Sequence, residues 1–90
     1  MKQVWKYQLQ ITDNQELKIP NNSDILSFDI QNGIPCIWVL VTPIYRKVVR
    51  RFSLYGTGHD IKYGDGKDRV FIGTIQTGPS VFHLFEIFNV

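Results

Sequence analysis

The sequence predicts a small all-β domain, an antiparallel β-sandwich or barrel of about seven strands. Three observations predict it. Apolar and polar residues alternate with a period of two in several short runs, and an Asn-Gly pair joins two of those runs. No window sustains the 3.6-residue repeat of an amphipathic helix. Ninety residues form one domain, residues 1–90, and at 43% hydrophobic and 13% aromatic they hold ample material for a core.

The first run covers Val4 to Ile11, with Trp5, Tyr7, Leu9 and Ile11 on one side and Lys6, Gln8 and Gln10 on the other. Thr12-Asp13-Asn14 reads as a turn. A short strand from Glu16 to Ile19 follows, halted by Pro20 and the polar Asn21-Asn22-Ser23. Asp24 to Gln31 alternates again and runs into Asn32-Gly33. A type I′ turn needs positive φ at both central residues, and Asn-Gly tolerates that best.

A two-residue loop sets the register of this hairpin. Gln31 faces Ile34, Ile30 faces Pro35, Phe28 faces Ile37 and Ser27 faces Trp38. Leu26, Phe28 and Ile30 are therefore expected on one apolar surface with Ile37 and Val39. The strand after the turn is apolar on its other face as well, through Ile34, Cys36, Trp38 and Leu40. A doubly apolar strand is normally central and covered on both sides. The first expectation is cover by the chain's own loops, and the second is an interface with another copy, a homo-oligomer.

Pro43 ends that strand, and Lys47 to Tyr55 begins another. A glycine-rich stretch, Gly56-Thr57-Gly58-His59, opens the longest loop, which runs to Asp68. Arg69 to Gln76 and Ser80 to Phe88 are the last two strands, joined through Thr77-Gly78-Pro79.

Composition excludes several classes. Ten Lys and Arg against eight Asp and Glu leave a formal charge of +2, unlike a strongly basic nucleic-acid binder. The single cysteine, Cys36, forbids an intramolecular disulfide and a cysteine-based zinc site. The start runs directly into alternation, unlike a signal peptide, and the longest apolar run, Ile34 to Val41, is far below the ~20 residues of a membrane span. Cytoplasmic residence is the expectation.

Catalytic motifs are missing. Neither the phosphate-loop pattern nor the dinucleotide fingerprint occurs, and there is no G-x-S-x-G. His59 and His83 lack the paired His-x-Thr or His-x-Ser of a two-histidine phosphoesterase. His83, among Val81, Phe82, Leu84 and Phe85, reads first as a hydrogen-bonded core histidine. A metal site from His59, His83 and Glu86 is not indicated by the spacing. Asp60, Asp65 and Asp68 do not follow a calcium-loop pattern. The candidate ligand-binding residues are thus a set without a motif: Arg50 and Arg51 as anion partners, Thr57, Gly58 and His59 as loop donors, and His83.

Trp5-Lys6-Tyr7 with Ile11 to Gln15, Ile25-Leu26-Ser27 with Gln31-Asn32-Gly33 and Cys36-Ile37-Trp38, Phe52 through Gly56-Thr57-Gly58-His59, and Phe71-Ile72-Gly73-Thr74 with Val81 to Glu86 carry a resemblance over nearly the whole chain. On these residues the sequence resembles a family of short proteins of unknown function in tailed phages, prophages and bacterial genomes. The resemblance implies a phage or mobile-element origin and no transferable activity. The expected function is a non-catalytic binding protein that uses no cofactor or metal. It would capture a small nucleotide-like anionic ligand in counter-defence. The alternative is a protein-interaction or structural module, an inhibitor of a host protein or a minor virion component.

Overall fold

Asn32 and Gly33 have φ values of 53° and 78°, so the two-residue turn has the positive-φ geometry that a right-twisted hairpin requires. The structure is a computed structural model and describes residues 1–89. The strands are β1 (Gln3–Gln8), β2 (Gln15–Pro20), β3 (Asp24–Gln31), β4 (Ile34–Val41), β5 (Lys47–Gly56), β6 (Asp68–Thr77) and β7 (Ser80–Phe88). They pair antiparallel into two sheets, in the orders β1-β4-β3 and β2-β5-β7-β6. The sheets do not join into a barrel. No helix occurs among the described residues.

The doubly apolar β4 is central in its sheet, as its pattern predicts. Its inner face gives Ile37, Val39 and Val41 to the core, where they meet Phe52 and Leu54 of β5, Leu84 of β7, Ile19 of β2 and Leu9. Every one of these side chains is at most 4% exposed. Full burial of such a residue contributes about 1.5–3 kcal/mol, so this two-sheet core is the main stabilising feature. Trp5, Tyr7, Leu17, Ile25, Phe28, Ile72 and Phe82 close its margins. At one margin Gly73 of β6 packs against the Phe28 ring, where a Cβ would lie 3.5 Å from the ring edge.

The hairpin register holds from Gln31↔Ile34 to Ser27↔Trp38 and then shifts, so that Ile25 faces Val39. Leu26 is the extra residue of a β-bulge. It is 53% exposed, and Ile25 takes the inward place expected for Leu26. The alternation of the first run also ends earlier than predicted. β1 stops at Gln8, and the Leu9 N–H donates to the Pro35 carbonyl at 2.9 Å as Leu9 turns into the core. Ile11 is left 54% exposed.

Candidate functional site

Alternation assigns β5 residues to two faces. Arg50, Phe52 and Leu54 look into the sandwich, whereas Arg51, Ser53 and Tyr55 look outward. This parity separates the two arginines that adjacent positions in sequence had grouped.

Arg50 makes an internal bond. Its Nε and Nη2 donate to Oε2 and Oε1 of Glu86, both at 2.6 Å, and its Nη1 donates to the Ser23 carbonyl at 2.7 Å. The forked geometry is the strong form of an Arg–carboxylate contact. The two side chains are only 20% and 8% exposed. Arg50 therefore ties β5 to β7 and to the turn before β3. Arg51 lies on the exterior, its Nε 2.9 Å from the Glu16 carboxylate.

The outer face of the four-stranded sheet carries His83. The Gly78-Pro79 loop pairs Thr77 with Ser80 and hence Thr74 with His83. Thr74 Oγ1 lies 2.9 Å from His83 Nδ1, and Thr57 Oγ1 lies 2.7 Å from Nε2. The histidine is hydrogen-bonded as expected, but it is half-buried on the outer face and not in the core. A threonine of β6 and one from the turn after β5 thus hold the imidazole that β7 presents. In the tautomer that protonates Nε2, the ring donates to Thr57 and leaves the threonine O–H free for a ligand. Thr74 went unnoticed in the sequence, although the arithmetic of a two-residue loop points to it.

His59 lies elsewhere. Its N–H donates to the Gly56 carbonyl at 3.1 Å, and its ring rests on Gly56, where a Cβ would come within 3.0 Å of Cε1. A side chain at position 56 would push the ring out of that seat. Gly56 pairs with Phe82 on the inward-facing side, so His59 and His83 stand on opposite faces of the sheet. Glu86 is bound to Arg50. The three residues weighed for a metal do not converge, and no cluster of metal-ligating side chains occurs among the described residues.

Beside this turn lies a depression of about 440 Å³, walled by Gly56, Thr57 and His59 on one side and Pro79, Ser80, Val81 and Phe82 on the other. Its lining combines polar residues, Thr57, Ser80 and His59, with an apolar wall, and includes no acidic residue. Gly58, with φ of 88°, shapes the turn between Thr57 and His59.

Two further hollows run along the outer side of β5. One of about 370 Å³ includes Glu16, Arg51 and Lys67, and one of about 240 Å³ includes Asp13, Asp60, Asp65, Lys67 and Arg69. In the second, Arg69 anchors the long loop. Its Nη2 lies 2.9 Å from Asp65 Oδ2, its Nε donates to the Tyr55 hydroxyl at 3.2 Å, and its guanidinium sits over the Tyr63 ring. The guanidinium pulls the Asp65 carboxyl down to about 2. Burial pushes the Tyr7 hydroxyl up. These hollows mix both charge signs, unlike the cleft at Gly56.

Of the remaining expected residues, Cys36 is 1% exposed and Ile34 is 38% exposed, while Trp38 and Leu40 are half-exposed on the outer face of β4. The Lys6 ammonium donates to Gln31 Oε1 at 2.7 Å, a bridge from β1 to β3 that passes diagonally over the Cys36 position.

Fold and site together define a small all-β protein of two unjoined antiparallel sheets with an open polar cleft at one end. The chain belongs to a family described as a domain of unknown function (DUF7352), which matches residues 1–89. No curated protein and no solved structure matches it.

Proposed function

We propose that this protein is a non-catalytic binding module that captures a small anionic, nucleotide-like ligand in the cleft between Gly56–His59 and Pro79–Phe82. One observation carries the reading. The exposed imidazole of His59 is posed on Gly56 at the rim of a 440 Å³ depression without carboxylates. That volume falls in the ~300–1,000 Å³ range of ligand pockets. Thr57, Ser80 and His59 supply donors for a phosphate, and Pro79, Val81 and Phe82 supply an apolar wall for a base. Arg50 drops out of this site because Glu86 and Ser23 occupy its guanidinium. Arg51 drops out as well, since it lies in a separate hollow with Glu16; Gly58 shapes the turn beside the cleft and His83 orients Thr57.

The phage setting implied by the sequence resemblance supports a counter-defence role, in which a cytoplasmic signalling nucleotide is sequestered. Isothermal titration against cyclic dinucleotides and ADP-ribose derivatives tests the reading. Heat with at least one of them is expected, weakened in His59→Ala and Thr57→Val. Silence across the panel overturns it.

A second reading, a protein-interaction module that inhibits a host protein or joins a virion, is favoured by β6. It is an edge strand, and its Val70 and Phe71 are 53% and 57% exposed. Capture of one host or virion protein that Phe71→Lys abolishes would favour this reading.

A further inference from the structure

We infer that the outer face of the β1-β4-β3 sheet is the interface of a two-fold homodimer in which Lys6 of each copy meets Asp29 of the other. The inference is independent of the ligand cleft, which lies in the other sheet.

The register lays this face out in rows. Val4, Leu40 and Asp24 form one row; Lys6, Trp38 and Ser27 form the next; Gln8, Cys36 and Asp29 form a third. Its centre is apolar, with half-exposed Trp38 and Leu40, and Val4 and the bulged Leu26 beside them are 54% and 53% exposed. A shallow groove of about 410 Å³ runs beside Trp38, bordered by Ser27, Asp29 and Gln31.

The flanks are charged with opposite sign. On this face β1 offers Lys6 and no acid, while β3 offers Asp24 and Asp29 and no cation. A two-fold axis parallel to the strands stacks β1 of one copy over β3 of the other. Each Lys6 then lies over the aspartates and the Trp38 groove of its neighbour, while the apolar centres cover each other. Such self-complementarity is what an isologous interface requires. The alternative axis, perpendicular to the strands, would set lysine against lysine.

The bulge contributes to this arrangement. It turns Leu26 out of the core and onto the face, and bulges are a usual means of re-aiming a side chain. Three strands about 4.8 Å apart, of six, eight and eight residues, give roughly 350 Å² per copy, under half the standard ~800 Å², so the dimer is weak and concentration-dependent.

Sedimentation equilibrium of the full chain from about 10 µM to 1 mM spans the affinities expected of so small an interface. A monomer–dimer equilibrium is expected. K6E and D29K alone should each raise the dimer Kd by about tenfold or more, because each places like charges together twice per dimer. The double variant K6E/D29K should return it to within a few fold of the original. An equimolar mixture of the two single variants should form heterodimers, since both pairs are again opposite in sign. Both positions are exposed, and circular dichroism confirms that each variant folds. A monomer throughout the range overturns the inference and leaves the face to a different protein. So does a dimer that neither reversal weakens.

Discussion

Arg50 and Glu86, 36 positions apart in the chain, face each other from β5 and β7 through two 2.6 Å hydrogen bonds inside the sandwich margin. The third bond of Arg50, to the Ser23 carbonyl, carries the fixation into the turn that begins β3. Removing one partner of a buried ion pair leaves an uncompensated charge and costs about 3–5 kcal/mol. Arg50 keeps one-fifth of its exposure, so the lower end applies. Glu86→Ala is expected to lower stability by about 3 kcal/mol in urea unfolding, and R50L/E86L to recover much of that loss. Equal losses in single and double variants would show that the pair is not the stabilising unit.

The Asp65–Arg69 contact predicts a pH dependence in the long loop. The folded-state pKa of Asp65 is about 2, below its ordinary 3.8. A depressed carboxyl stabilises the folded loop above its unfolded pKa and loses that contribution as pH falls toward the folded value. Loop amides between Asp60 and Lys67 are therefore expected to lose protection between about pH 4 and pH 2. Asp65→Asn should remove that step. Hydrogen exchange read by NMR checks both statements.

Ser53 is 1% exposed, and its hydroxyl has no hydrogen-bond partner among the described residues. An unpaired buried hydroxyl costs about 1–3 kcal/mol, so its removal should not hurt. Ser53→Ala is expected to be neutral or stabilising by up to about 1 kcal/mol in chemical denaturation. A clear destabilisation would mean that the hydroxyl has a partner in solution.

Gly56→Ala tests the seat of His59. The new methyl would come within 3.0 Å of the ring, and an exposed side chain yields easily. Stability is expected to change by under about 1 kcal/mol, while the His59 ring resonances shift and nucleotide affinity falls. Unchanged resonances would show that the ring does not rest there.

Much of this architecture was legible. Asn32-Gly33 set the pairing of β3 with β4 as far as Ser27↔Trp38, because a two-residue I′ turn leaves no freedom in register. Gly78-Pro79 carries the same information, and from it Thr74 opposite His83 follows. The bulge at Leu26 was hidden because Ile25 and Leu26 are both apolar, so alternation reads equally well through either. The Arg50–Glu86 pair was hidden for a different reason. β5 and β7 are not consecutive, and no turn links their registers.

The sequence by itself determined seven strands, their turns and the registers of hairpins closed by two residues, since all of these are local consequences of φ preferences and period-two alternation. Only the tertiary structure decided the inward face of β5 and β7, whose apolar residues fall on both parities. That choice placed Arg50 with Glu86, sent Arg51 and His83 outward, and folded His59 over Gly56 to the opposite side from His83. The physical reason is that strands distant in sequence, β1 with β4 and β5 with β2 and β7, pair where stacking of the two sheets buries the most apolar surface.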